Sequence, residues 1–247
     1  MKAALLAIAL AAIAPPSFGA ACVNGTLGSL TTCEITTGTG GVFQLSNWSL
    51  TDKSLTGYNL TNATFSASEV FVSFSTTANS LSVSFSDNSF GTQGFNPFSA
   101  NSANDVDQQV QFKTGFFITA LTVGPTGTIQ TVGHAAANVH DNGIPLGSMT
   151  VQKVYAGGNI FDPTMTILEA TGGADNPSLS QSNTTGSNTL SVVDVVTLSA
   201  RTGGAIAFDS YTNTFTIGRD VNNVPVPATF AILGLGLAGL AGLRRRR

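Results

Sequence analysis

Hydrophobic and polar residues alternate one by one through several short stretches of this chain. In "SLSVSFS", Leu81, Val83 and Phe85 fall on one side of an extended backbone and the serines between them on the other. The segment "EVFVSFST" repeats this pattern. A period of two is typical of a β-strand with one buried and one solvated face. Further strands are predicted where β-branched and aromatic residues concentrate, at residues 43–50, 110–123, 128–139, 149–155, 189–201 and 214–218.

Turn-forming residues separate these stretches, as in "SDNSFG", "GPTG", "HDNG" and "AGGN". Between the two ends, no segment sustains the 3.6-residue period of an amphipathic helix, and no repeat of fixed length is present. The pattern predicts an all-β fold, an antiparallel β-sandwich that is jelly-roll-like rather than a barrel. Two longer segments, "NSFGTQGFNPFSANSANDVD" and "TGGADNPSLSQSNTTGSN", are predicted as loops inside one domain, residues 22–219.

The chain begins with the layout of a secretory signal peptide. Lys2 precedes an apolar run to position 14, and two prolines and small residues follow. A signal helix is therefore predicted within residues 1–21, with cleavage between Gly19 and Cys22. A buried helix is the structural alternative, but it would rarely end at a double proline. A lipoprotein acylated at Cys22 needs a large apolar residue at the position of Gly19.

Two cysteines, Cys22 and Cys33, are present in the chain. An exported protein meets oxidising conditions, so we expect the two thiols to pair as a disulfide. The bond would fasten the new N-terminus to the first strand.

The opposite end combines a long uncharged segment with a cluster of arginines. Residues 224–243 carry no charge, and about 20 residues suffice to span a hydrocarbon core of about 30 Å. Residues 220–227 are predicted as a linker and residues 228–247 as a transmembrane helix with a basic tail. The positive-inside rule places the tail in the cytoplasm, where it would act as a stop-transfer signal formed by Arg244, Arg245, Arg246 and Arg247. A solvated basic tail on a soluble domain is the alternative.

This C-terminal segment resembles the tail of the PEP-CTERM class of bacterial surface proteins. The resemblance covers residues 224–247, and its sorting motif would comprise Pro225, Val226, Pro227, Ala228 and Thr229. In that family a glutamate separates the two prolines, and a membrane-embedded enzyme, the exosortase, processes the tail. The resemblance implies an inner-membrane intermediate followed by the outer envelope or extracellular matrix of a Gram-negative, exopolysaccharide-producing bacterium, with a role in biofilm or floc formation. An anchor that is never processed is the alternative.

Charge limits the partners of the body of the chain. The sequence holds 10 Lys and Arg against 13 Asp and Glu, but half of the basic residues are Lys2 and the four terminal arginines. Nucleic acid repels such an acidic body, so no nucleic-acid partner is expected.

Common catalytic signatures are absent: the chain has no G-x-S-x-G, H-E-x-x-H, C-x-x-C, Walker or EF-hand pattern. No catalytic residue, metal or cofactor is therefore predicted. His134 and His140 would share one face if a single strand carried both, but surface or strand-end positions are expected for them. Oxygen ligands for Ca²⁺ could come from Asp105 and Asp107, or from Asp141 and Asn142, although solvated turn carboxylates are the favoured interpretation.

The sequence favours a noncatalytic, exported envelope or matrix protein associated with exopolysaccharide and open to glycosylation at Ser and Thr. One alternative is a secreted polysaccharide hydrolase or lyase, which needs carboxylates converging in one cleft, drawn from Glu34, Glu69, Glu169 and the aspartates. Another is a carbohydrate-binding module, which needs Trp48 and one of Tyr58, Tyr155 and Tyr211 exposed on one sheet. A core position is the expected interpretation for Trp48.

Overall fold

A computed structural model describes ten segments of the chain, residues 19–57, 65–88, 98–102, 107–121, 128–137, 140–141, 147–156, 164–169, 179–182 and 187–218. These residues form fifteen strands and one short 3-10 turn at Leu27–Ser29. The strands are β1 Gly25–Thr26, β2 Cys33–Thr36, β3 Val42–Thr56, β4 Val70–Thr76, β5 Ser80–Asp87, β6 Ser99–Asn101, β7 Gln108–Leu121, β8 Thr128–Ala137, β9 His140–Asp141, β10 Gly147–Ala156, β11 Thr164–Glu169, β12 Leu179–Ser182, β13 Thr189–Ala200, β14 Ala205–Ala207 and β15 Ser210–Gly218.

Two six-stranded antiparallel sheets make up most of the described structure. Sheet I has the strand order β1-β4-β5-β15-β8-β12, and sheet II has the order β11-β10-β13-β7-β3-β2. A small third sheet contains β6, β14 and β9. The chain passes repeatedly between the two large sheets, so strands that are neighbours in space are often distant in sequence.

The core lies between the inner faces of sheets I and II. The ring of Phe116 on β7 lies 6.0 Å from the ring of Phe215 on β15 and 6.0 Å from that of Phe85 on β5. Strict alternation produces this core, because β13 buries every second residue from Leu190 to Ala200. Each buried large apolar side chain contributes about 1.5 to 3 kcal/mol, so this face stabilises the sandwich strongly.

Strand β3 departs from regular pairing at two points along its edge with β7. Its register shifts between Ser46 and Ser49 and again between Thr51 and Ser54. Asn47 and Asp52 have positive φ values of 54° and 50° at these bulges. Bulges of this kind increase the local twist of a strand. At the second bulge, Oδ2 of Asp52 lies 2.6 Å from Lys113 Nζ.

The predicted all-β, antiparallel, sandwich-like architecture is confirmed. Six further strand predictions agree with β3, β7, β8, β10, β13 and β15 apart from their ends. The loop predictions were wrong in part, since β6 and β12 lie within the two segments predicted as loops. These strands are short and polar, so local alternation gives them little signal. The predicted signal helix, linker and transmembrane helix lie outside the described residues, apart from residues 19–21.

Candidate functional site

Three polar side chains form a row on the inner face of sheet II. Lys153 on β10 is in register with Asp194 on β13, and Asp194 is in register with Thr114 on β7. All three are fully buried, and the next inward-facing residues along each strand are apolar or aromatic. Asp194, for example, lies between the inward-facing residues Val192 and Val196.

Sheet I presents a second polar group opposite this row. Tyr211 and Asn213 lie on β15, and Asn213 is in register with His134 on β8. These three residues are also buried. We refer to the six residues from both sheets as the polar cluster: Thr114, His134, Lys153, Asp194, Tyr211 and Asn213.

The carboxylate of Asp194 connects the two halves of the polar cluster. Its Oδ1 lies 2.7 Å from Lys153 Nζ. Its other oxygen, Oδ2, accepts a hydrogen bond of 2.7 Å from Asn213 Nδ2 and a long one of 3.5 Å from Thr114 Oγ1. One carboxylate therefore holds an amine from sheet II and a carboxamide from sheet I.

Aromatic rings enclose this polar cluster. Lys153 Nζ lies 5.6 Å from the centre of the Tyr155 ring. The Tyr211 ring stacks on Phe85 with a centroid separation of 4.9 Å, and its hydroxyl group is 2.5 Å from Thr114 Oγ1. The cluster thus lies in a buried environment of low dielectric constant, in which charge interactions are strong.

Burial changes the protonation of several members. It lowers the pKa of Lys153 from its ordinary value of 10.5 to about 8, although the charge of Asp194 and its hydrogen bond oppose this change. Burial, followed by the nearby charge of Lys153, lowers the pKa of His134 from 6.5 to about 3 despite the opposing charge of Asp194. His134 is therefore neutral at pH 7. Burial, together with the charge of Asp194, raises the pKa of Tyr211.

Some polar atoms of the cluster lack a hydrogen-bond partner among the described residues. They are both ring nitrogens of His134 and Oδ1 of Asn213. Leaving a buried polar atom unpaired costs about 1 to 3 kcal/mol. Buried polar groups in native proteins are nearly always paired, so these three atoms are exceptions within the described part of the chain.

The cluster has the groups for acyl transfer but no access for a diffusible substrate. Lys153 can supply an amine nucleophile, Asp194 can move a proton, and Asn213 supplies a carbonyl carbon bearing a nitrogen leaving group. Lys153, Asp194 and Asn213 each have 0% exposure to solvent. Their chemistry is thus available only to one another.

The disulfide prediction is confirmed by the structure. Cys22 and Cys33 are joined, with an S–S distance of 2.05 Å. Two backbone hydrogen bonds hold the same segment, from Cys22 N to the carbonyl oxygen of Glu34 at 2.9 Å and from Glu34 N to that of Ala20 at 2.7 Å. The segment that precedes the first strands is therefore fixed to the edge of sheet II.

The predicted sorting and stop-transfer residues lie outside the part of the chain that the structure describes. This applies to Pro225, Val226, Pro227, Ala228, Thr229 and to Arg244, Arg245, Arg246 and Arg247. In the described part of the chain there is no helix with the length and hydrophobicity that a bilayer span requires.

The expectation of a surface or strand-end position was wrong for His134, whereas His140 does lie at a strand end. His134 is buried rather than located at the surface or at a strand end. His140 begins β9, in the third sheet, whereas His134 lies in sheet I. The chain leaves β8 after Ala137, so one strand does not carry both residues.

Of the four candidate calcium ligands, the structure describes the side chain of Asp107. Asp107 accepts hydrogen bonds from the backbone nitrogen and hydroxyl group of Thr202, at 2.9 and 3.3 Å. Asp105 and Asn142 lie outside the described residues, and the side chain of Asp141 is not described. Within the described segments, no three His, Cys, Asp or Glu residues form a group able to hold a metal ion.

The tryptophan and tyrosine residues do not form a shared exposed platform within the described structure. Trp48 is half-buried and stacks on Phe116 at 5.1 Å, and its Nε1 donates to the carbonyl oxygen of Thr31 at 3.1 Å. Tyr155 and Tyr211 are buried, and Tyr58 lies outside the described residues.

Sequence reasoning missed the polar cluster, although a signal for it was present. Each member occupies an inward-facing position of a strand that otherwise places apolar residues there. In "TLSVVDVVTLSA", Asp194 is in phase with Val192 and Val196, and in "GSMTVQKVYA", Lys153 is in phase with Val151 and Tyr155. A charged residue in phase with the buried face predicts either a partner in the core or a functional group.

Comparisons with known proteins give one family match and one distant structural likeness. Residues 223–247 match the family model of the PEP-CTERM protein-sorting motif, which marks an exported, cell-surface protein. None of the curated proteins compared with the chain matches it. The solved structure of TmCBM61 in complex with beta-1,4-galactotriose has 13% sequence identity and a TM-score of 0.28, and the likeness covers 71% of this chain and 90% of that chain.

Proposed function

We propose that this protein is a noncatalytic component of the outer envelope or extracellular matrix, exported and sorted by its C-terminal tail. The PEP-CTERM protein-sorting motif at residues 223–247 is the observation that carries this proposal. An exosortase-like enzyme would process the tail while its helix holds the chain in the inner membrane. The body, residues 22–219, would then be displayed outside the cell as a jelly-roll-like sandwich, a topology supported by the repeated crossing of the chain between sheets I and II.

The location of the polar cluster supports a structural rather than an enzymatic role. A hydrolase or lyase needs its carboxylates in a cleft that a polysaccharide can enter. Asp194, the acidic residue of the polar cluster, is instead sealed between two sheets. The disulfide at the N-terminal edge adds a constraint that suits a protein exposed outside the cell.

The outer face of sheet I supports an association with exopolysaccharide. Ser84 and Ser82 on β5 lie beside Thr212 and Thr214 on β15, with hydroxyl separations of 2.8 and 3.2 Å. This face offers neutral hydroxyl groups that can hydrogen-bond sugars without repelling acidic polymers. The half-buried position of Trp48 gives less support to a dedicated carbohydrate-binding module.

The proposal is tested by the intact mass of the protein recovered from the envelope and matrix of a host that carries the exosortase. We expect a product that lacks the signal peptide, Arg244–Arg247 and most of the residues between 228 and 243. A matched strain without the exosortase should retain the full tail in the inner-membrane fraction. A mass that includes all four arginines in both strains would overturn processing and leave a plain membrane anchor.

A further inference from the structure

The polar cluster contains three groups that can react with one another. Lys153 Nζ and Asn213 Nδ2 contact opposite oxygens of the Asp194 carboxylate, each at 2.7 Å. An amine, a proton carrier and a carboxamide are therefore held in one buried site. Lys153 belongs to sheet II and Asn213 to sheet I, so a bond between them would join the two sheets.

We propose that Lys153 and Asn213 form an intramolecular isopeptide bond between Lys153 Nζ and Asn213 Cγ, with Asp194 carrying the protons. This would be a covalent modification of the protein by itself, without an external enzyme or cofactor. It goes beyond the proposed function and does not depend on it.

The reaction exchanges one amide for another and needs no oxidant or reductant. Asp194 first takes a proton from the Lys153 ammonium group, which leaves a neutral amine and a neutral carboxylic acid. The lone pair of Nζ then attacks Cγ of Asn213. The bond from Cγ to Nδ2 breaks, a second Nζ proton passes through Asp194 to Nδ2, and ammonia leaves. The products are a secondary amide, a protonated Asp194 and one ammonia molecule.

The surroundings favour the attacking form of the amine. A charged ammonium group is poorly stabilised in the core, and burial lowers the pKa of Lys153 to about 8. Proton transfer to Asp194 removes both charges from a dry site, so it avoids the cost of keeping an ion pair away from water. Well-oriented intramolecular groups can reach effective concentrations of about 10⁵ M or more, which offsets the low reactivity of a carboxamide.

The surroundings also disfavour the competing reaction with water. Lys153, Asp194 and Asn213 have no exposed surface, and the ring of Tyr155 covers the amine of Lys153. Hydrolysis of Asn213 to aspartate needs a water molecule at Cγ. The amine of Lys153, by contrast, is already held against the Asp194 carboxylate that Asn213 also contacts. Formation of the amide would also remove the charged ammonium group from the core.

Asn213, rather than Asp194, is assigned as the acyl group because of the position of Asp194 between the other two residues. Asp194 contacts both the amine and the leaving nitrogen, which is the position that a proton carrier requires. The choice also has a distinct mass signature. Amide formation on Asn213 releases ammonia, about 17 Da, whereas amide formation on Asp194 releases water, about 18 Da.

Peptide mapping of the full chain, purified from an exporting host, tests the proposal independently of how its ends are processed. After denaturation and reduction, trypsin should cut after Lys113, which serves as the internal control, but not after Lys153. The expected product is a branched peptide that joins residues 114–201 to residues 202–219 and is about 17 Da lighter than their sum. Separate peptides ending at and starting after Lys153, with residues 202–219 at full mass, would overturn the proposal. A loss of about 18 Da with the link on Asp194 would overturn the assignment of Asn213.

Two variants test the roles of individual groups. Lys153→Arg keeps a cation opposite Asp194 but has no primary amine, so the branched peptide should disappear. Asp194→Ala removes the proton carrier and should also yield linear peptides in protein that retains a β-sheet circular dichroism spectrum. A folded Asp194→Ala protein that cross-links at the wild-type rate would contradict the role of Asp194. The wild-type map remains decisive if that variant does not fold.

Discussion

Lys153 and Asp194 face each other across β10 and β13 with Nζ 2.7 Å from Oδ1, and neither side chain has any exposed surface. An ion pair inside a sandwich core is unusual, because the two desolvation penalties can exceed the attraction between the charges. The pair is therefore better explained by a role in specifying the fold or in a chemical reaction than by a net gain in folding stability.

Removing one charge of this pair should destabilise the folded protein more than removing both. We expect Lys153→Met and Asp194→Asn each to unfold at lower urea concentration than the double variant, by the equivalent of about 3 kcal/mol, because each leaves a buried group without its partner. None of the three variants has both Lys153 and Asp194, so the comparison isolates the charge pairing from the cross-link. A double variant that is less stable than both single variants would contradict this prediction.

His134 should make the protein sensitive to acid. Its pKa is about 3 in the folded protein and 6.5 when unperturbed, so the unfolded state binds more protons between these values. Stability is therefore retained above pH 6.5 and lost as the pH falls towards 3. The expected loss approaches about 5 kcal/mol, at about 1.4 kcal/mol for each unit of pKa.

The measurement is the difference in unfolding free energy between the wild type and His134→Gln at a series of pH values. Glutamine does not titrate, so carboxylates common to both proteins cancel in the difference. Because burial is the main cause of the lowered pKa of His134, the effect should persist after Lys153 has lost its charge. A difference that stays constant from pH 7 to pH 3 would contradict burial as the cause.

The bond between Cys22 and Cys33 closes a loop with a sequence separation of 11 and should stabilise the protein by about 2 to 3 kcal/mol. Cys22→Ser/Cys33→Ser should unfold at lower urea concentration than the oxidised wild type, and at the same concentration as the reduced wild type. Thiol labelling of the denatured, unreduced mature protein should find no free thiol. Two labelled thiols would exclude the disulfide, and one would favour acylation of Cys22.

Two glycines with similar backbone angles should respond differently to alanine. Gly57 and Gly203 have φ values of 78° and 82°, so alanine is strained at both by about 1 kcal/mol. A Cβ at Gly57 would overlap the carbonyl oxygen of Asp107, whereas one at Gly203 meets nothing within 4 Å. Gly57→Ala should therefore lower the urea midpoint clearly more than its matched control, Gly203→Ala. Equal midpoints would show that the Asp107 backbone moves without cost.

Replacing Val226 by glutamate should preserve or improve processing of the tail, because it restores the tripeptide of the PEP-CTERM class. The measurement is the ratio of processed to unprocessed chain in a host with the exosortase. Deletion of Arg244–Arg247 should instead let the uncut chain pass the inner membrane. A Val226→Glu chain that is processed less than the wild type would indicate an enzyme specialised for the apolar residue.

Local patterns predicted those parts of the fold that depend on burial within one strand. The alternation in β4 and β5 predicted both strands and their inward-facing residues, since a period of two places every second side chain in the core. The short strands β9, β11 and β12 were not predicted from the sequence. Their pairing depends on neighbours such as β8 and β10, which no local pattern identifies.

By itself, the sequence determined the β-rich body, the sorting signal and the cysteines available for pairing, because each depends on residues that lie close together along the chain. Tertiary structure alone decided that Lys153, Asp194 and Asn213 meet. In the sequence, each of the three is a polar residue within an otherwise apolar strand face. Nothing local shows that they meet, because their strands belong to two sheets. Packing of those sheets removes water from all three groups at once, and this shared burial gives the cluster its chemistry.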